Sequence, residues 1–154
     1  MTTRARWITI SLALLGAGGF ALAVEGGQWW TVAGVPIGPF GSVNCFDGDC
    51  RPTNLDWVGG SSLWQRCATA TTAAGLIAMV LLIAMAGTVA ARRIPRQLAK
   101  LVLVSIVTAV GAGAAFIIQL PALPGTSIDR GLPTFAIAIV VGAIAAIRLL
   151  RAKN

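Results

Sequence analysis

Four long apolar segments constrain the fold of this chain more than any other feature. None of them contains Asp or Glu, and Arg148, near the end of the last segment, is their only Lys or Arg. A helix needs about 20 apolar residues to cross the hydrocarbon core of a bilayer. The sequence therefore predicts an all-α membrane protein, a bundle of four transmembrane helices. The predicted spans are residues 7–24, 68–91, 101–124 and 133–150.

Composition supports the membrane class and narrows the chemistry. The 154 residues are 56% hydrophobic and 11% charged, whereas soluble domains carry about 25% charged residues. The chain has no histidine, which removes the commonest general base and metal ligand. Because the spans also lack the buried acids or lysines of an ion pathway, we predict a non-enzymatic protein without cofactor or metal.

The connections between the spans are unequal, and their charges differ in sign. Residues 25–67 form one long loop, whereas residues 92–100 and 125–133 are short connectors that make neighbouring helices antiparallel. Nine of the twelve basic residues fall on the side shared by the two termini and the 92–100 connector. These nine are Arg4, Arg6, Arg92, Arg93, Arg96, Lys100, Arg148, Arg151 and Lys153.

The opposite side holds the remaining basic residues and all five acids. The basic residues there are Arg51, Arg66 and Arg130, and the acids are Glu25, Asp47, Asp49, Asp56 and Asp129. The positive-inside rule therefore predicts cytoplasmic termini and an extracytoplasmic long loop, in a plasma or bacterial inner membrane. The basic side is expected to contact anionic lipids of the bilayer rather than nucleic acid.

The first span also fits a secretory signal peptide. Residues 1–6 form a basic start, and Ala21-Leu22-Ala23 is a cleavage pattern before Val24. The apolar run of the span is longer than the usual signal core, which favours a retained helix. Cleavage would leave three spans and the same long loop.

Small residues punctuate every span. Such residues let helix backbones approach closely in lipid, so they predict tight packing, and they also provide faces for self-association or for a partner membrane protein. The glycines concerned are Gly16, Gly18, Gly19, Gly75, Gly87, Gly111, Gly113 and Gly142.

Three cysteines lie on the predicted outer side, where disulfides form. Cys45 and Cys50 enclose the turn signal Asp47-Gly48, so we predict a disulfide between them and a free thiol at Cys67, although three cysteines leave other pairings open. Zinc binding by the three thiols with an aspartate is the alternative, but the spacing is not Cys-x2-Cys.

The long loop is aromatic and β-prone. Residues 28–35 favour a strand broken at Pro36 and Pro39, and Leu55-Asp56-Trp57 is predicted to pair with it. The expected result is a small disulfide-tied β element in the first extracytoplasmic loop, laid over the bundle. Its predicted interaction surface consists of Trp29, Trp30, Phe40, Phe46, Trp57 and Trp64.

At these residues the chain resembles the claudins, the peripheral myelin proteins and the stargazin-like tetraspans. Their first loop carries an early Trp, then Gly-Leu-Trp, two residues, a Cys and a second Cys. Trp29 or Trp30 matches the early Trp, Gly38-Pro39-Phe40 stands for Gly-Leu-Trp, and Cys45 and Cys50 match the pair. A second placement, on Leu63-Trp64 and Cys67, leaves no later cysteine in the loop. The resemblance implies cell contact, assembly or modulation of a partner membrane protein.

Two other functions remain open from the sequence. One is a membrane thiol oxidoreductase similar in topology to DsbB and vitamin K epoxide reductase, in which Arg66 beside Cys67 would favour the thiolate. The other is an accessory subunit of a channel, transporter or respiratory complex.

Overall fold

Four long helices dominate the computed structural model, which describes residues 2–24, 28–46 and 49–152. Each helix is long and apolar enough to cross a membrane, as the apolar segments predict. Their bounds are α1 Thr3–Val24, α2 Ser62–Ala90, α3 Arg96–Ile118 and α4 Gly131–Arg151.

Several helix boundaries differ from the predicted spans, most of all the start of α2 and the end of α3. Helix α2 begins at Ser62 rather than at residue 68, because the Ser61 hydroxyl caps it by accepting a hydrogen bond from the Trp64 N–H. Helix α3 ends at Ile118 rather than at residue 124. Pro121 has no N–H with which to extend it, and a proline disfavours the helical conformation of the residue before it.

Helix α1 packs between α2 and α4, and α3 lies on the other side of α2 and against α4. A Cβ added to Gly16 would lie 3.1 Å from the Gly142 Cα, and one added to Gly19 would lie 2.8 Å from the Ala138 Cβ. The glycines at these positions therefore bring α1 and α4 together, as predicted. By contrast, a Cβ placed on Gly18, Gly87 or Gly111 would have no described atom within 4 Å beyond its own stretch of helix.

One antiparallel sheet covers an end of the bundle. Its strand order is β4-β3-β2-β1-β5, and Ala33 and Gly34, both with positive φ, form the two-residue turn between β1 and β2. Strand β5 comes from the α3–α4 connection, so the sheet joins both connections at this end. The strands are β1 Trp30–Val32, β2 Val35–Gly38, β3 Gly41–Phe46, β4 Asp49–Thr53 and β5 Thr126–Ile128.

Two of the predicted strand features are wrong. Asp56–Val58 form a 3-10 turn rather than a strand that pairs with β1. Strand β1 instead pairs with β2 on one side and with β5 on the other. Pro36 does not break the strand but lies within β2, opposite Thr31. Pairing between β2 and β3 begins only at Ile37, so the missing N–H of Pro36 interrupts no ladder there. The predicted turn Asp47-Gly48 lies outside the described residues.

The two ends of the bundle differ in structure. The sheet end carries the five strands. The terminal end brings together the start of α1, the end of α2, the start of α3 and the end of α4. There the Arg96 guanidinium donates a 3.1 Å hydrogen bond to the Ala152 carbonyl, which ties α3 to α4.

Candidate interaction surface at the sheet end

Three of the four tryptophans predicted for the loop surface are buried. Trp29 and Trp64 are 0% exposed and Trp30 is 3% exposed. The prediction that they form an interaction surface is therefore corrected, because their rings fill the space between the sheet and the helices. Burial of such large rings supplies a large share of the stability of a packed core.

The buried indoles also satisfy helix ends. The last four carbonyls of a helix have no partner within it. The Trp29 Nε1–H donates a 3.0 Å hydrogen bond to the Ala23 carbonyl at the end of α1, and the Trp64 Nε1–H donates one of 3.0 Å to the Phe116 carbonyl at the end of α3. Each tryptophan thus combines apolar packing with a cap for a buried backbone oxygen.

Phe116 lies at the centre of the aromatic cluster under the sheet. Its ring stacks on Trp64 at a centroid distance of 5.1 Å and meets Trp30 at 5.2 Å and Trp29 at 5.9 Å. Phe135 of α4 joins the cluster through Trp29 at 4.8 Å. The sheet is thereby fastened to α2, α3 and α4 through side chains.

Neighbouring residues of a strand normally point to opposite faces, yet Trp29 and Trp30 are both buried. The ladder pairs Trp30 with Ile37, while the Trp29 N–H also donates to the Ile37 carbonyl, at 2.9 Å. Two successive residues therefore face one partner, as in a β-bulge. This local geometry turns both rings toward the helices.

Fewer residues are exposed at the sheet end than the predicted interaction surface contains. Every residue of β4 is exposed, and Trp57 is 46% exposed while its Nε1–H donates to the Ser42 hydroxyl at 2.7 Å. Phe40 is half-buried. The side chain of Phe46 lies outside the described part of the structure. We call β4 together with Trp57 the exposed edge.

Two adjoining clefts lie next to the exposed edge and extend along α2. One, of about 210 Å³, is lined by Phe40, Leu55 and Asp56 and also by Gln65 and Thr69. The second, of about 500 Å³, shares Gln65 and Thr69 and continues toward Ala73. The Gln65 side-chain amide donates to the Asp56 carboxylate at 3.0 Å, which fixes the 3-10 turn against α2.

The cysteines take the predicted arrangement. Cys45 and Cys50 face each other across β3 and β4 and form a disulfide, and among the described residues Cys67 has no disulfide partner. Cys67 is half-buried in α2, where the side-chain amide of Gln119 donates to its sulfur at 3.9 Å. The disulfide closes the β3–β4 hairpin, and the Gln119 contact links α3 to α2.

Asp129 fastens β5 beside β1. The Arg130 N–H and the Thr31 hydroxyl donate to its carboxylate at 2.6 and 3.0 Å. These two hydrogen bonds stabilise the ionised carboxylate and hold the pKa of Asp129 below its ordinary value of 3.8. The hydrogen bond from the Arg130 N–H has the larger effect, and that from the Thr31 hydroxyl adds to it. The pairing continues along the main chain, where the Asp129 N–H donates to the Trp29 carbonyl at 2.9 Å.

The sequence interpretation missed the roles of Phe116, Phe135 and Asp129. The two phenylalanines lie within apolar spans, where nothing in the pattern separates a ring under the sheet from a ring facing lipid. The available signal for Asp129 was its position in a short connector directly before a helix, since acids favour helix N-termini.

Comparison with known proteins gives no assignment: no protein-family model matches the chain, and no curated protein matches it either. Within the described residues, no group of three or more His, Cys, Asp or Glu side chains is placed to hold a metal ion.

Proposed function

We propose that this chain is an integral membrane protein that acts without catalysis, by presenting the exposed edge of its sheet to another protein. The observation that carries this proposal is how the sheet is held. Buried indoles between the sheet and the helices hold it in place, and a disulfide closes the β3–β4 hairpin. Strand β5, from the connection between α3 and α4, pairs with β1. A preordered surface loses less freedom on binding than a flexible loop.

Insertion into a bilayer is supported by the outward faces of the helices. Each helix exposes large aliphatic side chains at more than half of their surface, of which Leu15, Val80, Val107 and Ile137 are examples from α1 to α4. In water such a continuous apolar belt would cause aggregation, whereas lipid covers it without penalty. The orientation with cytoplasmic termini is proposed from the charge asymmetry.

Trp57 is the residue most suited to contact a partner. Tryptophan is enriched among the residues that contribute most to binding at protein interfaces, and Trp57 leaves 46% of its surface open. Around it the edge strand β4 carries Asp49 and Arg51, which pair at 3.6 Å while both remain more than 80% exposed. The resemblance to claudin-like tetraspans suggests a second copy of this chain, in the same or a facing membrane, as the first partner to test.

The test uses protein reconstituted in two vesicle populations with different dyes. Wild-type protein is expected to cluster the vesicles, or to give energy transfer between labelled copies within one membrane. Trp57→Ala should reduce that signal about tenfold or more, as expected for a residue that dominates an interface. The matched control is Trp7→Ala, which removes a ring that is 59% exposed at the terminal end and should leave the signal unchanged.

Three outcomes would contradict the proposal. Equal loss in the two variants would show that the exposed edge is not the contact. Absence of any self-association, together with a stoichiometric large partner purified from native membranes, would favour an accessory subunit. A Cys45–Cys50 disulfide that is partly reduced as isolated and changes with added quinone, measured by alkylation and intact mass, would favour the thiol oxidoreductase.

The proposed orientation of the protein in the membrane can be tested separately by cysteine labelling. A cysteine introduced at Thr53, in the exposed strand β4, should react with a membrane-impermeant maleimide added outside intact cells. A cysteine introduced at Thr2, at the terminal end, should react only after the membrane is opened. The reverse labelling pattern would overturn the proposed topology.

A further inference from the structure

The terminal end holds an arginine-lined cleft that the proposed function does not use. It measures about 310 Å³ and lies between the start of α1 and the end of α2. Three of its lining residues are arginines, and the others are a threonine and two aliphatic residues. The six are Thr3, Arg6, Val89, Arg92, Arg93 and Ile94.

The positive charge of this cleft is not neutralised by the described protein. Within residues 2–24, 28–46 and 49–152 the one ion pair joins Asp49 and Arg51, at the sheet end. The sequence has no Asp or Glu before residue 25, between residues 57 and 128, or after residue 129. Among the described residues, no carboxylate side chain therefore lies at this end of the molecule, and an external anion would be a complementary ligand.

The backbone around Arg92 gives a second, independent indication. The Arg92 N–H bonds to the Val89 carbonyl at 3.1 Å and the Arg93 N–H bonds to the Thr88 carbonyl at 3.0 Å, which is the pattern of a Schellman motif. Arg92 has a φ of 60°, at the position where such a motif favours glycine. An arginine that accepts a strained backbone conformation, beside a second arginine in the same cleft, indicates a function for its side chain.

We propose that this cleft binds the phosphate of an anionic phospholipid headgroup. The guanidinium groups of Arg6, Arg92 and Arg93 would donate forked hydrogen bonds to the phosphate oxygens, a geometry suited to arginine. Ile94, which also lines the cleft, would contact the glycerol and first methylenes. Basic pockets between helices at the membrane surface bind such lipids, and lipid occupancy rests on the bilayer insertion proposed above but not on the exposed edge.

A second cleft provides a matched control. It measures about 410 Å³, lies between the start of α1 and the end of α4, and contains Arg148 and Arg151. Both arginines belong to the last turn of α4, where they complement the negative end of the helix dipole. Their presence therefore has a local structural reason that requires no ligand.

The experiment measures binding of short-chain phosphatidylglycerol to the full chain in neutral detergent, by native mass spectrometry and by titration. Arg92→Gln with Arg93→Gln should weaken binding about thirtyfold, since each arginine near an anionic lipid contributes a factor of about five. Arg148→Gln with Arg151→Gln removes the same charge from the same end and should change binding less than about threefold, because charges outside the cleft are screened by salt.

Equal losses in the two double variants would overturn the site in favour of a diffuse basic surface. Arg92→Gly is a control for loss of folding, because glycine suits the positive φ at this position. This variant should unfold at a higher temperature without lipid, yet bind the lipid about fivefold more weakly. Wild-type affinity in this variant would overturn the role of Arg92. Inorganic phosphate should compete only at far higher concentration than the lipid, and equal affinity would assign the cleft to free phosphate instead.

Discussion

The sheet end and the middle of the bundle are held together in opposite ways. At the sheet end, large rings fill the interior: Trp29, Trp64 and Phe116 are all 0% exposed. In the middle of the bundle, α1 and α4 meet where side chains are missing, with Gly16 against Gly142. One chain thus fills its sheet end with its largest residues and lets α1 and α4 approach through its smallest.

The backbone explains this difference. Within a long helix every N–H and C=O is paired internally, so a small residue has only to let two backbones approach. At the end of a helix the last carbonyls lack partners, and they need a donor that can also fill space. An indole supplies both, as Trp64 does for the Phe116 carbonyl. The two regions should therefore respond differently to substitution.

The largest effect is expected from removing Trp64. Trp64→Ala should lower the free energy of unfolding by about 3–5 kcal/mol, because it leaves a cavity beside Phe116 and an uncapped carbonyl. Unfolding in detergent, followed by circular dichroism, measures the loss. Trp64→Phe keeps most of the ring volume and should recover more than half of it.

The matched control for this prediction is Trp7→Ala. Trp7 is 59% exposed, so the same substitution there should change stability by less than about 0.5 kcal/mol. If Trp7→Ala and Trp64→Ala lower the free energy of unfolding equally, buried aromatic rings do not stabilise the sheet end. The proposed contrast with the glycine-packed part of the bundle would then be wrong.

Overpacking tests the middle of the bundle. Gly16→Leu should destabilise by about 1–3 kcal/mol, because its side chain would meet the backbone of Gly142 and separate α1 from α4. Gly18→Leu is the control two residues away, where an added Cβ would have no described atom within 4 Å beyond its own stretch of helix. It should be neutral or slightly stabilising, since leucine favours a helix more than glycine. Unfolding by denaturant measures both variants, and similar losses would contradict the close approach.

The sequence predicted the bundle better than the sheet, and the reason is physical. A run of apolar residues long enough to cross a bilayer indicates a helix by itself, so α1, α2, α3 and α4 could all be located. Strand pairing depends on residues far apart in the chain. Strand β5, three residues long, has too little periodicity to be recognised, and it pairs with β1 only because α3 and α4 bring it there.

Burial of the tryptophans could not be predicted for a related reason. In a membrane protein an aromatic residue near a helix end suits the lipid interface as well as the interior, so composition does not decide between them. Burial of both Trp29 and Trp30 depends on the bulge opposite Ile37. The Cys45–Cys50 pair was predictable because its contact is local, across a single hairpin.

The disulfide is expected to matter less than Trp64. Cys45→Ser with Cys50→Ser should lower the unfolding free energy by about 2 kcal/mol, because a cross-link that closes so short a ring removes little freedom from the unfolded chain. Cys67→Ser, which removes the described thiol without a disulfide partner, is the control and should cost less than about 1 kcal/mol. Thermal unfolding with and without a reductant gives the comparison. Loss of folding in the double variant would mean that the disulfide, rather than the buried rings, holds the sheet end.

The smallest effect concerns the electrostatic link between β5 and β1. The Arg130 N–H and the Thr31 hydroxyl stabilise the ionised carboxylate of Asp129 in the folded protein, so its pKa is lowered. A group with a lowered folded pKa contributes stability above its unfolded pKa, and that contribution is lost as the pH falls through the folded value. The unfolding temperature should therefore drop as the pH falls from about 5 through the unfolded pKa near 4 and below it, and Asp129→Asn should show a smaller drop over the same range. Thr31→Val removes one of the two donors and should also reduce this drop in unfolding temperature. Gly16→Leu is the control: it acts far from this carboxylate and should lower the unfolding temperature equally at every pH. An unchanged pH dependence in Asp129→Asn would show that this acid does not link the two strands.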